Sequence, residues 1–452
     1  MTNKIFKTIA YFTFICSFAI LFGCKKYLDA KSSKSLQEPN TLEGLQGLMD
    51  LYYWVNNVDV GYGIDGGDDF YYKEDTYNSL SSQQDRNRYI WSDYDVITTG
   101  LSAYTYAFDG IYRANTVLEG LNKISRSIEN ATTWDNIKGQ ALYLRGKNYY
   151  MTAQVWTLAY DRSTSNEDLG MPLRLNTNFN EVSVRSSNEE TYLQIISDLK
   201  GAVNLLPVEP VHPYRSSKPA ALGLLARTYL SMREYDSCLD YVNKALELKS
   251  LLLDYNLLDS SATYPFNQFG IEVIMDNALY VSLSRKTVDS VLFSMYESND
   301  LRKSIFFNSN GDGSFKFGGS YEGNANVFGG VATDELYLMK AECEVRLGNV
   351  AKAKDEMDKL LKKRYLKGMY IPFASVDAQQ ILNWVLTERR KELVGRGLRW
   401  TDIKRLNKEG ANITLKRVIG SNVYYLTPND PRYAMAFPDN VINISGMKQN
   451  PR

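Results

Sequence analysis

One spacing of small and packing residues occurs twice in this chain, and it limits the fold more than any other feature. Over Pro219 to Met232 and Tyr235 to Leu248 apolar residues recur with helical period. Ala226, Tyr229, Cys238, Val242 and Ala245 fall where two antiparallel helices approach closely. From Glu335 to Leu361 the offsets return, with Ala341 on the first helix, Gly348 at the turn, and Ala353, Met357 and Leu360 on the second. A lone helical hairpin buries one face only, so a recurring pair predicts a stacked scaffold in which each hairpin covers the next.

Further helical patterns flank these pairs. Leu42, Leu45, Leu48, Met49 and Tyr52 predict a first helix that ends near Val55, with Asn40 and Glu43 spaced as a capping box. Others cover Tyr104 to Ile124, Thr133 to Trp156, and Asn188 to Leu206; the last is opened by Ser187 and Glu190 and stopped by Pro207. Asp377 to Gly395 and Leu398 to Leu406 follow late in the chain. Two stretches break the pattern. Asn56 to Thr99 is rich in Gly, Asp, Ser and Tyr, has no sustained period, and is too long for a simple connection. Leu251 to Gly330 reads as short strands and loops, with a Gly-rich run around Phe315 to Gly319, and Tyr424 and Tyr425 are placed on a strand near the end. The predicted fold class is mainly α: a tetratricopeptide-like helical-repeat scaffold with long loop and short-strand insertions. Residues 38–250 form its N-terminal helical region and 251–452 its C-terminal region.

The first residues predict export. Lys4 and Lys7 precede an apolar run from Ile9 to Phe22, which is too short to span a membrane and ends at Gly23-Cys24. A small residue directly before a cysteine is where a lipoprotein signal peptidase cuts. Residues 1–23 are therefore expected to be a signal peptide, Cys24 to carry lipid, and residues 24–37 to form a polar tether. Phe22 is bulkier than usual at its position, and an ordinary cleaved signal would instead leave a soluble secreted chain.

Composition removes whole classes of chemistry. Lys plus Arg and Asp plus Glu are 52 each, so no net field gathers a nucleic acid, and none is expected as a partner. With His212 the only histidine, histidine-rich zinc and iron sites cannot assemble, and a Ser-His-Asp triad would need its base on a Pro-flanked connector. Cys238 and Cys343 read as buried helical thiols. The excess lies in 33 tyrosines, whose rings with a polar tip suit helix packing and ligand surfaces alike.

Several strings together resemble the SusD/RagB family of outer-membrane nutrient-binding lipoproteins. They are CKKYLD at Cys24, ALYLRGKNYYMTAQVW at Ala141 and GMPL at Gly170, then RSSNEETYLQIISDLKGAVNLLP at Arg185, YRSSKPAALGLLARTYL at Tyr214, and ERRKELVGRGLRWTDIKRL at Glu388. Two places depart from the family pattern: Val331 to Asp334 replaces the usual Arg-Leu-Ala lead, and Gly395-Arg396-Gly397 stands where an acidic residue commonly precedes the glycine. Glu388, Arg389, Arg390, Lys391 and Glu392 supply a charged face with helical ion-pair spacings, and Arg389, Glu392 and Arg399 are also candidates for a buried network, which would be architecture rather than chemistry. The resemblance implies a lipid-anchored protein facing the cell exterior, which captures oligosaccharide and hands it to a SusC-like TonB-dependent transporter. Neither covalent chemistry nor a cofactor is implied. Peptide or another nutrient on the same scaffold, or a helical-repeat adaptor without a small ligand, are the alternatives.

Ligand residues differ among relatives, so candidates come from local chemistry. Asp68, Asp69, Tyr71, Tyr72, Asn78 and Trp91 combine carboxylates that accept hydroxyl hydrogen bonds with rings that cover the C–H face of a sugar. A solvated loop whose aromatics tuck onto the helices fits the same composition. Phe315 and Tyr321 in the Gly-rich segment form a second candidate, which a hairpin turn explains nearly as well. Asn308, Asn310, Asp312 and Gly313 echo the opening of a calcium loop, but Gly319 stands where its glutamate belongs, and no metal is expected. Asp68 with Asp69, or Glu74 with Asp75, is discounted as a glycosidase pair because sequence adjacency says nothing of the gap that mechanism needs.

Overall fold

The computed structural model describes residues 40–92 and 102–452. The signal peptide, Cys24, the tether and the end of the Asn56 to Thr99 stretch lie outside them. Ten helices carry the scaffold: α1 (Leu42–Met49), α2 (Ala103–Asn122), α3 (Ala131–Trp156), α4 (Asn188–Leu205), α5 (Lys218–Met232), α6 (Tyr235–Leu248), α7 (Thr333–Arg346), α8 (Val350–Leu361), α9 (Ala378–Glu392) and α10 (Arg399–Asn407). From α2 to α8 each packs on its predecessor, α9 packs on α7, and α1 lies across α2 and α3. Residues 41–452 form one unit, and α6 against α7 joins its two regions.

Local chemistry sets the helix ends. Ser187 and Glu190 form the expected reciprocal capping box at α4, and Ser102 with Thr105 forms another at α2. Gly348 turns the chain between α7 and α8 at φ 86°, a left-handed conformation that favours glycine. The start of α1 differs from the expectation: its cap is Thr41, whose hydroxyl accepts from the Gly44 N–H at 3.1 Å, not Asn40. Its end differs too. The helix stops at Met49, the carboxylate of the following Asp50 accepts two hydrogen bonds from Arg215 at 2.6 and 2.7 Å, and Tyr52–Asn56 forms a separate short helix.

The repeat register is visible in burial. Ala226, Cys238, Val242 and Ala245 in one hairpin and Ala341, Ala353, Met357 and Leu360 in the other are fully buried in one continuous core. Ala226→Trp or Ala341→Trp is expected to destabilise by about 1–3 kcal/mol, because added volume has no space between helices. Thermal melts check this, and unchanged midpoints for both would refute the register.

The insertions are more ordered than their composition predicts. Asn56 onward contains short helices at Tyr62–Gly66, Glu74–Asn78 and Gln83–Tyr89 and two-residue strands at Asp59–Val60 and Phe70–Tyr71. This segment lies against α10: a Cβ on Gly66 would stand 2.7 Å from the Trp400 ring. In the middle insertion, Ala278–Tyr280 is the centre of a three-stranded sheet, parallel to Asp59–Val60 and antiparallel to Val327–Phe328. The Gly-rich run is a hairpin pairing Phe307–Ser309 with Phe315–Phe317, and Tyr424 and Tyr425 lie on a strand paired with Leu415–Ile419.

The charge-dense C-terminal end of α9 is largely buried and its charges are paired. Arg302 donates to Asp300 at 2.7 and 2.9 Å, to Glu388 at 2.5 Å and to Glu392 at 3.0 Å. The other oxygen of Glu392 accepts from Arg364 at 2.6 Å, and Arg364 also reaches Glu272. Arg389 pairs with Asp402 at 2.9 Å, and Asp402 with Arg405 at 2.8 Å. Arg389, Glu392 and Arg399 therefore have separate partners and do not form the shared network that was one reading of their sequence. The two departures from the family pattern meet in space: Arg396 donates to Asp334 at 2.8 Å and stacks over the Tyr321 ring at 4.0 Å.

Candidate functional site

A concavity of about 660 Å³ lies where the two insertions meet. One wall comes from the Tyr52–Asn56 helix. Its inner side is fixed: Lys147 of α3 donates to the Val55 carbonyl at 2.9 Å, and Asn56 Nδ2 donates to the carbonyls of Tyr214 (2.9 Å) and Asp276 (2.7 Å). With that side committed, Tyr53 and Trp54 point outward, 51% and 38% exposed. The opposite wall is Tyr280, 40% exposed at the end of its strand.

A buried ring joins the walls. Tyr106 of α2 stands 5.8 Å from Trp54 and 4.9 Å from Tyr280, and Tyr53 meets Trp54 edge to face at 5.2 Å. Four rings thus run in contact from one wall to the other, each pair in a tilted or edge geometry that aromatic pairs favour; Tyr53 and Tyr280 line the cleft, and Trp54 and Tyr106 connect them.

The floor is polar, and the charges of Asp65, Lys286 and Arg88 on it are paired. Lys286 Nζ donates to Asp65 at 2.6 Å and to the Tyr72 hydroxyl, while Arg88 Nε donates to Asp65 at 2.9 Å and the guanidinium lies 3.6 Å over the Tyr62 ring. Burial pushes the Asp65 carboxyl up, but Lys286 and Arg88 more than offset it and hold it below the ordinary carboxylate range. Burial first, and then Asp65, raise the Tyr72 hydroxyl, so it stays protonated at neutral pH. Paired charges, hydroxyls and exposed rings match a neutral, polyhydroxylated ligand better than an ionic one.

Of the eight sequence candidates, only Tyr72 lines this cleft. Asp68 is a tether instead: Arg399 grips both its oxygens at 2.6 and 2.9 Å, and although burial works against ionisation these bonds hold its carboxyl at about 2. Asp69 is buried and accepts from Arg390 at 3.0 Å. Both carboxylates pin the insertion to α9 and α10, which also removes them as a glycosidase pair. Trp91 is only 4% exposed, donates to the Gly66 carbonyl at 3.1 Å, and is covered by Arg417, so its ring is packed inside the insertion. Tyr71 is half-buried in its strand, and Asn78 is exposed at a helix end away from the lining.

The second candidate group is also packing. Phe315 stacks on Phe293 at 3.8 Å, and Tyr321 is buried with its hydroxyl donating to Glu272 at 2.5 Å. Asp312, from the calcium-loop echo, pairs with Lys73 and closes its own turn through Ser314. The residues missed were Tyr53, Trp54, Tyr106 and Tyr280. A sequence signal existed for the first two: adjacent rings that fall outside the apolar stripe of the first helix.

A stack of helical hairpins whose cleft is built from insertions, not from the repeats, defines the class of protein. Residues 26–230 match a family model described as starch-binding and associating with the outer membrane, and residues 334–444 match the SusD family model. The chain belongs to the SusD/RagB family. Among solved structures it is similar to a SusD superfamily protein of Bacteroides thetaiotaomicron VPI-5482 (19% identity, TM-score 0.74, covering 91% of this chain and 100% of that one). It is also similar to a SusD superfamily protein of Bacteroides fragilis (22%, 0.70, 91% and 99%) and to a SusD-like carbohydrate binding protein of Bacteroides vulgatus ATCC 8482 (18%, 0.67, 90% and 96%). These likenesses establish the fold. No curated protein matches the sequence.

Proposed function

We propose that the protein captures an oligosaccharide in the cleft between Tyr53, Trp54, Tyr72 and Tyr280 and passes it to a SusC-like TonB-dependent transporter, with no covalent chemistry of its own. The observation that carries the reading is the run of rings from Tyr53 to Tyr280 above a floor of paired charges. Rings cover the apolar face of a pyranose while Tyr72, Asp85 and Asn326 in the lining offer hydrogen bonds to its hydroxyls. Membership of a family with a starch-binding, outer-membrane description supports the ligand class and location. A glycan panel tested against the soluble protein by calorimetry is expected to give a Kd of roughly micromolar to millimolar, about 4–8 kcal/mol. Binding of peptides but of no glycan would favour the nutrient alternative, and binding of neither the adaptor.

Attachment is proposed through lipid on Cys24. Among the described residues no helix is long and apolar enough to cross a membrane. Cys24→Ala is expected to move the protein from the membrane fraction to soluble protein or uncleaved precursor, read by fractionation. Continued outer-membrane partition of the variant in cells without the transporter would contradict the anchor.

A further inference from the structure

Behind the aromatic wall lies a polar cluster that ligand contact leaves unused. Asp276, in the turn between strands Val273–Met275 and Ala278–Tyr280, and Glu322, shortly before Val327–Phe328, are both buried. Gln268 Nε2 bridges them, 3.2 Å from Glu322 Oε2 and 3.4 Å from Asp276 Oδ2, and also donates to the Tyr52 hydroxyl at 2.7 Å. That hydroxyl donates in turn to Asp276 Oδ2 at 2.9 Å. The two carboxyl groups share the one Gln268 amide donor, and Asp276 Oδ1 and Glu322 Oε1 find no hydrogen-bond partner among the described residues.

The charged and titratable groups facing the pair offer little relief. Tyr52 approaches from its short helix, and Asp59 from strand Asp59–Val60 is itself neutralised by Lys147 at 2.6 Å. His212, packed edge to face on Phe269, acts on Asp276 only as a minor attraction. Two ionised carboxylates so placed repel one another in a dry setting. One proton removes the repulsion and supplies a donor.

We propose that Asp276 and Glu322 hold a single proton between them, and that this proton sets the spacing of the two aromatic walls. The coupling is short. Tyr52 and Asn56, which bond to the side chain and the backbone carbonyl of Asp276, belong to the five-residue helix carrying Tyr53 and Trp54. Asp276 leads directly into the strand that ends at Tyr280. Losing the proton drives Asp276 from Glu322 and strains both attachments at once. The importance of that spacing for capture rests on the proposed ligand reading; the shared proton does not.

Burial, and then Asp276, push Glu322 up to about 8 from an ordinary 4.5. The native state therefore keeps a proton that the unfolded chain has lost. The stabilisation this gives is complete below about pH 4.5 and disappears as pH rises through about 8.

The test needs no ligand. Melting temperatures of the full chain are measured from pH 5 to pH 9 for wild type, Glu322→Gln and Asp276→Asn, with Trp54 emission taken as the difference from a Trp54→Phe protein. Each amide supplies a permanent donor to the remaining carboxylate, so wild type is expected to lose melting temperature on going to pH 9 while at least one variant loses distinctly less. Trp54 emission is expected to shift over the same pH range in wild type only. Parallel pH profiles in all three proteins, or a flattened variant profile with Trp54 emission unmoved in wild type, would overturn the proposal. Glycan binding that fails at every pH while the profiles diverge as expected would sink the ligand reading and leave the shared proton standing.

Discussion

Arg302→Met is expected to destabilise the protein by about 3–5 kcal/mol, the loss typical when one partner is removed from a buried ionic cluster. Methionine keeps most of the volume, so the effect is electrostatic. Four hydrogen bonds from one fully buried guanidinium to Asp300, Glu388 and Glu392 disappear, leaving Lys391 and Arg364 to balance three buried carboxylates. Denaturant unfolding reads the loss, and its pH dependence identifies the cause. A carboxylate without its cation has a raised folded-state pKa, so the native variant takes up a proton as pH falls and the deficit relative to wild type shrinks. A loss of less than about 1 kcal/mol would mean that the cluster behaves like a set of surface pairs.

Trp54→Ala and Tyr280→Ala are each expected to weaken glycan binding by at least about 2 kcal/mol, roughly thirtyfold in Kd, because they remove the partly exposed rings that flank buried Tyr106 in the aromatic run. Folding is expected to persist in both, since neither ring is a core residue. Trp91→Ala should behave in the opposite way. Its indole holds the Gly66 carbonyl inside the insertion, so its removal lowers stability and touches binding only through the fold. Calorimetry beside thermal melts separates the two outcomes.

The scaffold was legible because its determinants are local. A Ser187–Glu190 box, a Gly at a left-handed turn and alanines at repeat contacts act within a few residues of where they stand. The cleft was not legible because its determinants act through space. Asp68 and Asp69 look like sugar ligands in a row of aromatics, but Arg399 and Arg390, 331 and 321 residues away, claim them. The α9 segment held the clue, in that three successive cations, Arg389, Arg390 and Lys391, at the buried end of a helix must find carboxylates somewhere. Trp91 and Tyr72 were indistinguishable as letters, and only packing leaves one inside and the other in the cleft lining. Tyr280 becomes part of the site solely because its strand pairs with Asp59–Val60, which follows the helix of Tyr53 and Trp54.

The most direct test of the cleft is a crystal structure of the soluble protein with the glycan that binds best in the panel. The account predicts a sugar ring lying flat at about 4 Å, van der Waals contact, on Trp54, Tyr53 or Tyr280, with a hydroxyl hydrogen-bonded to the floor beside Tyr72 and Asp65. Glycan found at any other surface, with these rings bare, would contradict it.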